Sequence, residues 1–307
     1  MEEMKNRVYG VVGIKSIMSN WNADFDGNPK TTSDGKIFGS DKAFKYPIKK
    51  MWEAQEENKV LYVKSYKNEK DSIQARNLSE RFNKIFNVDI KSIKKKEDIF
   101  KYLFSAIDVL NFGATFAEEK NNISITGAVQ VGQGYNKYEN STTQIIDILS
   151  PFRDSKKNDA QNSTIGTKIV SDEAHYMYPF SVNPQNYDIY KEVLGESCCY
   201  TKEAYSKFKE ACLIAATAYN TNSKLGCENE FAIFVECKEG SKLYLANLDQ
   251  YITFTKVEDG KDIIDISKLA DILNEHETQI DNIEVYYNMY TLEVKGVREN
   301  YIVKSLY

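Results

Sequence analysis

Three carboxylates crowd one loop. Asp24, Asp26 and Asp34 all fall in "NWNADFDGNPKTTSDGK". A trio of loop acids can hold Mg²⁺ through hard oxygen ligands. The same stretch carries Gly27, Asn28, Pro29 and Gly35, which are turn formers, so capping of local turns is the stronger reading. His175 stands near Asp172 and Glu173 and has the chemistry of a general base. Tyr176, Met177, Tyr178 and Pro179 follow it, however, and a packed strand histidine is the stronger reading. No Ser/His/Asp or Cys/His arrangement has local support. The "GQG" at Gly132–Gly134 is no phosphate loop, since no GK[ST] follows and no helix opens there.

The 21 tyrosines and 15 phenylalanines offer stacking platforms for bases, worth ~1–3 kcal/mol each when used that way. Most must be core. Phe112, Phe116, Tyr135 and Phe152 stand out, because they lie near glycine-rich strand ends or in a polar hairpin. Five cysteines, two of them adjacent (Cys198 and Cys199), include no CxxC pair, and His175 and His276 are the only histidines. That argues against a structural zinc site and favours reduced thiols, partly in the core, of a cytoplasmic protein. No apolar run approaches the ~20 residues of a membrane span, and no h-region follows Met1-Glu2-Glu3-Met4-Lys5.

These residues need a scaffold. A chain of 307 residues suits one large domain with insertions or two small ones. Net charge is −5, but it is unevenly spread. From Lys30 to Lys101 there are 18 Lys/Arg against 11 Asp/Glu, and from Cys227 to Asn300 there are 7 against 16. A molecule basic at one end and acidic at the other can hold a polyanion and can meet its own copies head to tail; solvated helix charge explains the numbers equally well.

"RVYGVVGIKSIMS" (7–19) reads as a central strand, with Gly10 and Gly13 marking close backbone approach. In "SDKAFKYPIKKMWEAQEE", Phe44, Ile48, Met51 and Trp52 share a helical face, while Lys42, Lys45, Lys49 and Lys50 lie elsewhere. Pro47 predicts a helix beginning there, with 40–45 as an extended lead-in. Residues 59–108 read as an insertion: a short strand at 60–63, then helices near 73–86 and 97–109. "NFGATFAEEKNNISITGAVQVGQGYN" (111–136) holds four glycines and no charge after Lys120, and reads as two strands turning at Asn121-Asn122. Residues 139–171 predict a protruding hairpin, and "AHYMYPFSVNP" a further strand. Thr201 caps a helix over 201–220 with Tyr205, Phe208, Cys212, Ala215 and Tyr219 as its apolar stripe. "EFAIFVECK" is a strand, and a last strand pair is expected in 283–297. Without the insertions the order is β (7–19), α (47–57), β (111–117), β (122–132), α (201–220), β (229–238). That is βαββαβ, the α+β order of ferredoxin-like, RRM-like folds.

Longer stretches resemble a known family. "NFGATFAEE…ISITGAVQVGQGYNKYE", "DILSPFR", "DEAHYMYPFSVNP", "AYNTNSKLGCENEFAIFVE" and "GNPKTTSDGKIFGSDKAFKYPIKKMW" are similar to the type I-B form of the CRISPR-associated Cascade backbone subunit (Cas-seven family, RAMP superfamily), over roughly residues 5–240. The resemblance implies a palm built from 1–58, 109–138 and 172–307, a helical fingers insertion at 59–108, and a thumb hairpin at 139–171. It implies a non-catalytic subunit of antiviral defence, with no cofactor or metal, that polymerises along a guide RNA (crRNA). Each thumb flips one base, and the remaining bases pair with target DNA. Its partners would be crRNA, target DNA through the guide, further copies of itself and other Cascade subunits, with no membrane.

On that reading the glycine-spotted strand pair is the surface on which the RNA backbone lies. Lys42, Lys45 and Lys49 would meet phosphates from the first helix, and Arg153 and Lys168 from the thumb. Ser40, Gln130 and Gln133 would bond 2′-hydroxyls or phosphates, Phe112 would stack, and Phe152 or Ile165 would wedge at the flipped base. Related type III backbone subunits cut RNA with an aspartate in the loop after strand one, so a metal-dependent endoribonuclease using Asp24, Asp26 or Asp34 is the alternative. A protein-only scaffold is the other.

Overall fold

The computed structural model describes residues 2–69, 72–149, 164–195 and 198–307, with the side chains of 164 and 165 outside that set. Strand β1 (Val8–Ser19) is buried along most of its length. Its β-branched run suits a strand covered on both faces. The short β2 (Phe38–Gly39) and helix α1 (Asp41–Ala54) follow. Ser40 caps α1 by accepting from the Ala43 amide. The helix therefore starts six residues before Pro47, not at it, and 40–45 is not extended. Pro47 is buried inside α1; it forfeits one intrahelical bond, and the cap and the packed Phe44, Ile48 and Trp52 face offset that loss.

Hairpin strands β3 (Tyr66–Glu69) and β4 (Ser72–Ala75) precede α2 (Leu78–Phe86), α3 (Lys96–Phe104) and α4 (Ile107–Phe112). The hairpin falls where the sequence suggested the start of a helix. No strand forms at 60–63. Instead the buried Asp108 carboxylate accepts from the Leu61 amide at 2.8 Å and the Tyr62 amide at 2.7 Å. A side chain thus satisfies the backbone donors that a ladder would have taken.

The stretch 111–136 is the main correction. Phe112 ends α4, and β5 (Gly113–Phe116) pairs with β6 (Ile123–Thr126) in a separate two-stranded sheet. The chain then breaks, and β7 (Val129–Val131) and β8 (Gly134–Asn136) join the central sheet. Two glycines cause the break. Gly113 has φ +76°, and a Cβ on Gly127 would strike the backbone of 111–113.

Strand β9 (Thr143–Leu149) pairs with the first half of β10 (Thr164–Val182), so the predicted hairpin is present, with its tip outside the described residues. β10 runs on unbroken into the central sheet, so the expected boundary at 171 falls inside one strand. After α5 (Asp188–Leu194), Thr201 caps α6 (Lys202–Ala218), which leads to β11 (Cys227–Cys237). Among the described residues the main sheet has the order β16-β14-β11-β1-β10-β8-β2. In it β1 pairs antiparallel with β10 and β11 over nearly its whole length. In the sheet β10 lies between β1 and the short strands β7 and β8; of the pair expected over 111–132, only Val129–Val131 joins it, while β5 and β6 pair with each other.

One sheet face packs on α1 and α6 through Val8, Val12, Ile14, Phe180 and Phe208. The other packs on the C-terminal part through Tyr9, Val11, Met177 and Ile233. That part holds β12 (Thr253–Thr255), β13 (Asp262–Asp265) and β15 (Leu292–Lys295) in a three-stranded sheet, together with α7 (Ser267–Glu275). β14 (Ile280–Tyr287) and β16 (Ile302–Ser305) extend the main sheet, so β14 and β15 do not pair as expected. All five cysteines are buried, where the sequence placed them only partly in the core. No helix among the described residues is long and apolar enough to cross a membrane.

Candidate nucleic-acid interface

The apolar stripe of α1 fixes where its lysines go. With Phe44, Pro47, Ile48 and Trp52 buried, Lys42, Lys45 and Lys49 share a neighbouring stripe at spacings of three and four. They line a cleft of about 410 Å³ between α1 and the start of β5. Phe112 forms its floor, stacked on Trp52 with centroids 5.7 Å apart. The Lys45 ammonium lies 5.2 Å and the Lys49 ammonium 5.8 Å from the Phe112 ring centre, and Lys49 lies 5.5 Å from the Tyr62 ring.

Three ammonium groups here face two carboxylates. Asp41 takes Lys42 at 2.9 Å and Lys45 at 3.1 Å. Burial pushes Asp41 up, but these two ammoniums outweigh it and hold its carboxyl below the usual range. Asp108 is fully buried, and desolvation raises its pKa although Lys49 and two amides oppose the shift. Burial likewise pulls Lys49 below the ordinary lysine value, with Lys45 and Lys42 adding repulsion and Asp108 opposing them. A crowded, partly desolvated cation cluster with too few acids is stabilised by an incoming anion.

A second cleft of about 700 Å³ adjoins the first and shares Lys42 and Tyr46 with it. Asn22, Asp26, Ser40, Lys168 and Lys224 are among the residues that line it. The structure therefore brings Ser40, Lys42, Lys45, Lys49, Phe112 and Lys168 along one continuous depression. The Ser40 hydroxyl is engaged as the helix cap, and its amide donates to Asn22 Oδ1 at 2.7 Å.

Gln130 and Gln133 do not join them. Gln130 is opposite Ser181 in the ladder, on the sheet face away from α1, and its amide donates to the Gly127 carbonyl at 2.8 Å. Gln133 lies between β7 and β8. Their separation follows from the break at Gly127, which carries this segment off the strand pair. Phe116 is core, packed on Phe82, so it stacks on no ligand. Tyr135 pairs with Phe38 at the sheet edge. Phe152 and Arg153 lie outside the described residues, as does the Ile165 side chain.

Sequence reasoning missed Tyr46, Tyr62 and Lys224. Lys224 donates to the Asn20 carbonyl at 2.6 Å and to that of Trp21, and burial lowers its pKa. It lies in "AYNTNSKLGCENEFAIFVE", so the family-like motif marked it, while no local pattern did.

The loop acids serve as turn formers. Asp24 Oδ1 accepts from the amides of Asp26 and Asn28, each at 2.9 Å. Asp34 accepts from the Thr32 hydroxyl and pairs with Lys36 at 3.5 Å. Among the described residues, the one convergent trio of metal-ligand types is Glu173, His175 and Asp262. There Lys256 bridges Glu173 at 2.7 Å and Asp262 at 3.1 Å. His175 is the buried, packed histidine that its neighbours suggested.

A mixed α/β chain with an antiparallel central sheet and a lysine-lined cleft over the helix that follows its first strand is the class these features define. The chain belongs to the CRISPR-associated protein Cas7 family, whose model matches residues 6–275. Among the solved structures that share its fold are the following two. One, described as "CRISPR RNA-guided surveillance complex, pre-nicking", aligns over 98% of this chain and 96% of the other at 14% identity, with a TM-score of 0.61. A second, "CRISPR RNA-guided surveillance complex", aligns over 94% and 95% at 15% identity, with a TM-score of 0.50. No curated protein sequence matches the chain.

Proposed function

We propose that this chain is a non-catalytic, crRNA-binding backbone subunit of a type I-B surveillance complex. Copies polymerise along the guide and present its bases for pairing with target DNA. The sheet order β11-β1-β10-β8, with α1 and α6 on one face, is then a ferredoxin-like, RRM-like palm. Residues 59–108 are the fingers, and the β9–β10 hairpin is the thumb. Family membership and the fold shared with two RNA-guided surveillance complexes support this reading.

The observation that carries it is the cleft of Lys42, Lys45 and Lys49 around Phe112. Such a site grips sugar-phosphate and leaves sequence to base pairing. Lys168, which lines the adjoining cleft, closes the track from the thumb side.

Three measurements test this. The purified native assembly should carry RNA of regular length. Lys45→Glu should weaken guide binding irrespective of sequence and reduce the salt slope by about 0.7. An assembly free of RNA, or an unchanged slope, overturns the proposal. Incubation with complementary RNA and Mg²⁺ should give no cleavage. Cutting that disappears in Asp24→Ala or Asp26→Ala would establish the endoribonuclease alternative.

A further inference from the structure

We propose a second nucleic-acid site, a pocket for single-stranded phosphodiester chain at the start of β1, apart from the lysine cleft. Arg7 precedes β1, while Asn20, which lines the cleft adjoining the lysine cleft, follows it, so the pocket and that far end of the depression are separated by about 40 Å of extended strand. The pocket uses none of the cleft's residues, so the inference is tested separately from the proposed function.

The pocket, about 210 Å³, lies where the start of β1 meets the turn after β11. Its cations are Lys5, Arg7, Lys238 and Lys242. Among the described residues only Lys5 of these four has a carboxylate partner, Glu239 at 3.2 Å. Lys238 donates to the Thr278 carbonyl at 2.8 Å and keeps its charge uncompensated. Lys242 is exposed.

Arg7 is the organised member. Its Nε donates to Asn183 Oδ1 at 3.3 Å and its Nη1 to the Ser241 carbonyl at 3.4 Å. Its guanidinium sits 4.4 Å over the Tyr244 ring. These contacts hold the side chain and leave Nη2 to donate to a ligand. A guanidinium fixed this way favours phosphate, whose oxygens match its planar fork.

Tyr244 supplies the second half of the argument. It is 74% exposed. Arg7 covers one face, and the other is open. A base stacked there would complete a guanidinium–tyrosine–base sandwich, with its phosphate against Lys238 and Lys242. Cationic track plus exposed aromatic platform is the recognition chemistry of single strands, sequence-tolerant because every base has a π-face. A duplex hides its bases and would not use the ring.

The test takes the native assembly as purified and adds labelled oligo-dT or oligo-U of about ten nucleotides, within the site sizes of such grooves. A 5-iodouracil version of each is photo-cross-linked and the adduct mapped by mass spectrometry. The cross-link should fall on Tyr244. Tyr244→Ala and Lys242→Glu, both at exposed positions, should each weaken binding about five-fold or more, from the low end of the stacking energy. Tyr290→Ala, an equally exposed aromatic outside both sites, should leave this binding unchanged. Loss confined to the dT arm assigns DNA, loss confined to the U arm assigns RNA, and equal loss assigns a sugar-blind site. Unaltered affinity of both variants for both oligonucleotides, or an equal loss of that affinity in Tyr290→Ala, overturns the inference.

Discussion

His175 is buried in the centre of a charge network that ties the main sheet to the three-stranded sheet. Its Nδ1 faces both Glu230 oxygens, at 3.0 and 2.9 Å, and its Nε2 faces Glu173 at 3.1 Å. Lys256, just after β12, reaches Glu173, and Asp262 of β13 receives the same ammonium. The imidazole stacks on Phe254 of β12 at 3.7 Å. Burial pushes its pKa down, but Glu230 and Glu173 together win, and it is raised above the usual 6.5.

The sign follows directly. The folded protein holds this proton more tightly than the unfolded chain does. The stabilisation is therefore full below about pH 6.5 and is lost as pH rises through the folded pKa. Each unit of elevation is worth about 1.4 kcal/mol. At the acid end, Glu173 is held below its ordinary range by Lys256 and His175 against the opposing effect of burial. Its contribution is present above about pH 4.5 and fades below. Urea unfolding at a series of pH values should then show a plateau between those limits and a decline on the alkaline side. His175→Gln should remove the alkaline decline and cost about 3–5 kcal/mol at pH 6, the penalty for breaking a buried ion pair by deleting one partner. Amide exchange at 253–265 should accelerate in the same variant. A parent whose stability is flat from pH 6 to 9, or a variant losing under ~1 kcal/mol, would refute the argument.

Asp41→Asn should free Lys42 and Lys45 from their internal acid, and RNA affinity should rise with a steeper salt slope by filter binding; weaker binding would mean Asp41 positions rather than competes. Asp108→Ala should cost about 1–3 kcal/mol, because the Leu61 and Tyr62 amides lose their acceptor, and exchange at those two amides should report it. Gly10→Ala should prevent folding or cost more than ~3 kcal/mol, since the new Cβ would strike the Ile233 carbonyl as well as the Phe180 ring; a parent-like melting curve would contradict this.

Elements whose side chains carried a period were legible in the sequence. β1, α6 and β11 announce themselves by apolar runs or by a 3-4 stripe behind a threonine cap, and all three lie where predicted within a few residues. The lysine stripe of α1 was legible for the same reason: an amphipathic helix with a fixed buried face leaves its cations one place to be. Where a single residue outweighed the pattern, prediction went astray. Pro47 argued for a late helix start, yet the Ser40 cap and the Trp52 face held the earlier turn. Asp108, an ordinary helix acid in sequence, turned out to replace a strand by accepting two amides 46 and 47 residues away.

The stretch 111–136 shows the deeper reason. Its alternation is real, and both halves are strands, but alternation says which face a residue takes and nothing about which sheet it joins. Gly113 and Gly127 decide that. By letting backbones touch at 111–113 and 127 they split the segment into one hairpin beside the lysine cleft and one sheet edge on the far side. Phe112 therefore lies with the lysines, while Gln130, eighteen residues on and equally polar-strand in appearance, does not. The charge asymmetry resolves the same way. The basic half places four of its lysines on α1, over one face of the sheet, while Arg7, Lys238 and Lys242 gather at the start of β1 from segments that looked unremarkable or acidic on average. Net charge over a window averages across separate surfaces. A polyanion meets only the few cations that the fold leaves without carboxylate partners, and those are a property of packing.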